Sequence, residues 1–179
     1  MNEPNRRTLA AVVVLAALNQ IGWAADSDHV LRTFKNSSLT EEYYSEVVAV
    51  GDIDGDGKAD ITHGPFVYFG PDYTRKIEIY PAEPQPRAGY TKHFFSWIYD
   101  FNEDGRPDIL AVGFPGKPGY VYENPGKDAS GDWKQHQVAD QVNNESPHFV
   151  NVVGDEKPEL VCAQSGVFGY VAIDGELGE

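Results

Sequence analysis

Short apolar runs alternate with loops dense in Asp, Gly and Asn along most of the chain. Val47-Val48-Ala49-Val50-Gly51 leads into DIDGDGKAD (52–60) and Ile61. Phe95-Ser96-Trp97-Ile98-Tyr99 leads into DFNEDGRPD (100–108) and Ile109-Leu110-Ala111-Val112. Pro147-His148-Phe149-Val150 leads into NVVGDEKPE (151–159) and Leu160-Val161. The loops begin at residues 52, 100 and 151, a near-constant period that marks a solenoid, a propeller or another repeat array. The flanking runs are rich in Val, Ile and aromatic residues and read as β-strands. Further strands are predicted at Phe66 to Phe69, Ile77 to Tyr80, Tyr120 to Tyr122, Gln135 to Ala139 and Val167 to Ile173, with turns at Gly64-Pro65, Gly70-Pro71, Gly113 to Gly116 and Asn124-Pro125-Gly126. No amphipathic helix is evident. Three to four short strands per repeat is the density of a propeller blade. The predicted fold is therefore all-β: an incomplete, β-propeller-like array of about three four-stranded blades, with repeats near 44–92, 93–143 and 144–179.

The first residues break this pattern. Arg6 and Arg7 precede an unbroken apolar stretch, Leu9 to Leu18, and Gly22-Trp23-Ala24 supplies a small-x-small cleavage pattern. Residues 1–24 thus read as a secretory signal peptide, and the stretch is about half the ~20 residues a membrane helix needs. The expected location is periplasmic, cell-surface or secreted, with no membrane span. The remaining chain of the 179 residues is long enough for a sizeable core. The 18 Gly and 12 Pro of the full sequence suit many short turns. Cys162 is the only cysteine, so no intramolecular disulfide forms, and its apolar neighbours mark it as a small buried strand residue.

The formal charge of -14 changes the picture more. It leaves no basic surface with which to displace phosphate counterions, so nucleic acid is excluded as a partner. The acids concentrate in the loops. Asp52, Asp54, Asp56 and Asp60 occupy positions 1, 3, 5 and 9 of the first loop, and Asp100, Asn102, Asp104 and Asp108 those of the second. Alternating oxygen-bearing side chains on a tightly curved loop can converge on calcium, a hard cation that takes six to eight oxygens. Gly57 and Gly105 at position 6 permit the turn, and the carbonyls of Lys58 and Arg106 at position 7 are expected to add backbone ligands, their side chains pointing outward. The loops begin like an EF-hand, but position 12 holds His63 or Ala111 and the flanks are strands. The acid at position 9 is expected to take the place of the missing Glu. A turn alone needs two such residues, not four spaced acceptors.

This D-x-D-x-D-G-x-x-D pattern between strands, repeated near fifty residues, resembles FG-GAP/VCBS repeats over about residues 44 to 174. The resemblance implies the calcium-bearing β-propeller of integrin α subunits and of many exported bacterial proteins, with the eight loop side chains named above as metal positions. The third loop departs from it: Asn151 stands at position 1, Val153 at position 3 and Glu156 in place of the turn Gly, leaving Asp155 and Glu159 as the acids at ligand positions 5 and 9. It is read as a turn that has lost its ion.

The implied role is a binding or scaffold module for a protein or a glycan, with calcium as cofactor and no enzymatic activity. The rival is a polysaccharide-active or lectin-like propeller. Catalysis would need an acidic or His-based cleft away from the calcium loops. His29, His63, His93, His136 and His148 form no metal-spaced pair, and no Ser elbow, P-loop or dinucleotide fingerprint is present. Tyr43-Tyr44, Tyr90, Phe94-Phe95 and Trp97 are candidates for a sugar-binding surface, although aromatic strand residues more often pack between blades. Three blades leave open flanks, so self-association through them is expected, and the tail from Ile173 to Glu179 shows no capping element.

Overall fold

A computed structural model describes residues 33–126 and 131–177. The signal-peptide reading of residues 1–24 lies outside them. The chain divides into two units, Met1–Ser37 and Ser38–Glu179. In the first, residues 33–37 carry no regular secondary structure. The second holds every described strand.

That unit is all-β. Its first sheet has the order β1-β2-β3-β4, from Ala49–Gly51, Asp60–His63, Phe66–Tyr68 and Lys76–Glu78. The second has the order β5-β6-β7-β8, from Phe95–Tyr99, Asp108–Val112, Lys117–Glu123 and Lys134–Val142. The third, from His148–Val150 (β9), Glu159–Gln164 (β10) and Val167–Val171 (β11), has the order β11-β10-β9. Every pairing is antiparallel. Three such sheets, each with an Asp-type loop between its first two strands, form an incomplete propeller-like array. Among the described residues the third blade has three strands where four were expected. Past Val171 the chain turns at Asp174–Leu177 and buries Leu177 against the second blade.

Period-2 alternation explains why the blades stack. On the second sheet Ile109, Ala111 and Tyr122 face the first blade's Val67, Phe69 and Ile79. The intervening residues Leu110, Val112 and Val121 face Leu160 and Cys162 of the third. Each blade therefore buries one side chain set on each neighbour, which is how a repeat array shares its core. Backbone bonds reinforce the second contact: the Asn143 N–H donates to the Ala163 carbonyl at 2.8 Å. The last strand is exposed on both faces, with Val167 and Phe168 each 70% accessible.

Candidate metal centre

The two complete loops join the first and second strands of their blades and share one hydrogen-bond plan. Asp52 at position 1 accepts the N–H groups of Asp56 at 3.0 Å and Gly57 at 2.9 Å. Asp100 accepts those of Asp104 at 3.1 Å and Gly105 at 2.8 Å. Position 3 adds an acceptor for the same N–H, Asp54 at 3.2 Å in one loop and Asn102 at 3.1 Å in the other. At position 5, Asp56 and Asp104 each accept the N–H of position 7 at 2.9 Å. These bonds wind the chain tightly enough to need left-handed backbone at two places. Gly57 has φ +83° and Gly105 +82°, which glycine adopts without steric cost. Position 4 is also left-handed, at Gly55 and, less comfortably, at Glu103.

Position 9 has a role that the sequence pattern did not reveal. Asp60 is buried, and its two oxygens accept the N–H groups of Ile53 at 2.8 Å and Gly70 at 2.9 Å. Asp108 is 0% exposed and accepts those of Phe101 at 3.1 Å and Asn124 at 2.8 Å. The acid ties the start of the loop to the end of the third strand. Burial pushes the Asp108 carboxyl up to about 6; the two N–H donors oppose this, while Asp104 and Asp100 push the same way. Asn124, read from the sequence only as part of a turn, links the two sites. Its buried amide donates to the carbonyls of Ile53 and Pro107, both at 3.0 Å.

In the first loop, carboxylate oxygens of Asp52, Asp54 and Asp60 lie within 4.8 Å of one another. Oxygens bound to one calcium at about 2.3–2.6 Å can be at most roughly 5.2 Å apart, so this all-oxygen set fits a single ion. Asp56 stands outside that set, its carboxylate paired with Lys58 at 2.7 Å. The Lys58 ammonium holds the Asp56 carboxyl below the usual range. Arg75 meets Asp54 and Arg106 meets Asp104. The Lys58 and Arg106 side chains thus fold back onto position 5 rather than pointing outward, drawn by the negative field of the loop. The second loop carries the same backbone plan, with Asn102 supplying an amide oxygen in place of Asp54.

The third loop keeps part of the plan. Asn151 accepts the Gly154 N–H at 2.8 Å, Asp155 that of Lys157 at 2.9 Å and buried Glu159 that of Val152 at 2.8 Å. Val153 at position 3 has no oxygen to offer. Outside the loops, the sugar-surface candidates separate. Phe95 stacks on Trp97 at 6.2 Å and both pack into the core between the second and third blades. Tyr44 meets the Phe66 ring edge-on at 5.0 Å, and Tyr43 donates to Glu46 at 2.7 Å. Tyr90 stays 62% exposed. Of the histidines, His93 is buried beside Tyr80 and Tyr122, and burial lowers its pKa to about 4. Cys162 is buried, as expected of a strand residue.

Residues 100–162, from the second loop to the middle of the third blade, match the family model of an FG-GAP-like repeat. No curated protein and no solved structure matches the chain. Among the described residues, no helix is long and apolar enough to cross a membrane.

Proposed function

From the FG-GAP-like repeat that the chain carries, we propose that this protein is an exported binding module whose blades are braced by calcium in the loops at 52–60 and 100–108. The observation that carries this reading is the convergence of Asp52, Asp54 and Asp60 in a loop whose geometry the second loop repeats residue for residue. Calcium would be held by side chains at positions 1, 3, 5 and 9 and by the carbonyls of Lys58 and Arg106. Bound there, it would offset the mutual repulsion of the carboxylates. Its role is structural. A carboxylate held on a cation is a poor proton donor, so the loops are assigned to stability and not to catalysis. The export reading is supported by the charged, apolar and small-residue succession of residues 1–24. The binding role rests on the repeat type, and its ligand is a protein or a glycan.

Denaturant unfolding with and without calcium tests this. Extracellular modules often bind with Kd near ~10⁻⁴ M, so ~1 mM calcium adds about 1.4 kcal/mol per site and roughly 3 kcal/mol for both. The unfolding free energy is expected to rise by that amount, moving the midpoint to higher denaturant, and to return when a chelator is added. A midpoint indifferent to calcium contradicts the structural role.

A further inference from the structure

We propose that the cavity between the β4–β5 connection and the β6–β7 turn binds a carboxylated sugar, a uronic acid residue of a glycan chain. The cavity measures about 550 Å³, inside the ~300–1,000 Å³ range of small-molecule sites. The exposed Tyr90 ring stacks on Phe114 with centroids 4.1 Å apart and an interplanar angle of 25°. Phe94 buttresses both rings edge-on, at 5.7 Å from Tyr90 and 5.6 Å from Phe114. Stacked on one another, Tyr90 and Phe114 each keep one outer ring face, a flat apolar surface suited to the C–H face of a pyranose. Tyr120, Tyr122 and Gln135 of the second blade line the same cavity. Gln135 donates through Nε2 to the Tyr122 hydroxyl at 2.9 Å, which leaves its Oε1 free to accept from a sugar hydroxyl. The Tyr120 hydroxyl has no hydrogen bond to another described residue and can donate or accept.

Charge decides which sugar. Lys92 and Lys117 line the cavity and no acid does, in a chain whose net charge is -14. Gly113 lets the two lysine-bearing segments approach: a Cβ there would stand 3.0 Å from the Lys117 Cβ and 3.2 Å from the Lys92 carbonyl. Lys117 forms no ion pair among the described residues. Lys92 is held only by Glu83 at 3.1 Å, with both side chains exposed, and such a pair is weak and exchangeable. A neutral sugar would use the rings and leave both ammonium groups idle. An acidic peptide would satisfy the lysines and leave the stacked rings without a flat partner. A uronate uses both.

This inference rests on the reading of the chain as a binding module, but not on its calcium loops. The test is calorimetric titration of the full chain, in calcium at low ionic strength, with trigalacturonic acid, its fully methyl-esterified form and hexaglutamate. The free acid is expected to bind, with the ester and the peptide at least about tenfold weaker, the usual scale for losing one good contact. Tyr90→Ala and Lys117→Met should each weaken the free acid by about tenfold. Both variants should keep the parent's circular dichroism spectrum and unfolding midpoint, which shows an intact fold. Equal binding of acid and ester, binding of hexaglutamate as tight as the uronate, unchanged affinity in both variants, or no binding of the free acid each overturns the proposal. If the calcium shift persists while the uronate fails, the assignment of this cavity falls and the calcium-braced module stands.

Discussion

Replacing Asp108 with alanine is expected to destabilise the fold by about 2–6 kcal/mol, because the Phe101 and Asn124 N–H groups each lose a buried acceptor at roughly 1–3 kcal/mol apiece. Against a total of about 5–15 kcal/mol this is among the largest single losses the chain can show. The loss has a pH signature. Burial raises the Asp108 pKa in the fold from 3.8 to about 6, so between those values the folded chain keeps a proton that the unfolded chain releases. In chelator, ionising Asp108 therefore costs the parent stability as pH climbs from about 4 to about 6, a loss absent from Asp108→Ala. The gap between the two proteins narrows over that range and reopens when calcium neutralises the ionised carboxylate. Urea unfolding of both proteins from pH 4 to 7, with and without calcium, reads this directly. A constant gap would mean that Asp108 is ionised at no cost in the fold.

Leu160→Ala is expected to cost about 2–5 kcal/mol, the usual penalty for a cavity in a packed core. Leu160 is 0% exposed and shares its core with Phe101, Leu110 and Val121 of the neighbouring blade. The loss should be local. In a repeat array each unit depends on its neighbours alone, so the third blade should separate from the second before the first two unfold. Two tryptophans make this visible. Trp97 contacts Phe149 of the third blade at 6.2 Å, whereas Trp133 lies in the core between the first two. In the variant, the transition followed through Trp97 in a Trp133→Phe background should fall below that followed through Trp133 in a Trp97→Phe background. Coincident midpoints would show that the three blades form one cooperative block.

The repeat was legible because its strongest signals are chemical. Three acidic loops at a fixed spacing, each flanked by β-branched and aromatic runs, sufficed to place the hairpin of every blade. Phe95–Tyr99 was read to the residue. Strand ends were less legible where polar or breaker residues interrupt the alternation. β7 extends back to Lys117 through Pro118 and Gly119, because a register shift there removes the need for an N–H from Pro118. β8 continues to Val142 past Asp140 and Gln141, its alternation resuming with a buried valine. Within the loops, spacing marked the acids but could not show that the position-9 acid also satisfies backbone N–H groups. Position 9 is buried by the end of the third strand, a contact that no local pattern encodes. The left-handed turn at position 4 was hidden in the second loop by Glu103, which also reaches Lys157 of the third loop. The cavity beside Tyr90 joins two segments about twenty residues apart, so its lysines and rings could not be grouped from sequence.

The first two loops are expected to hold one calcium each and the third none. Counting bound calcium by titration calorimetry, with folding checked by circular dichroism, tests this most directly. Two ions are expected on the parent, one on Asp54→Ala, one on Asn102→Ala and two on Glu159→Ala, whose loss should appear in stability instead. No bound ion on the parent, or three falling to two on Glu159→Ala, would contradict the account.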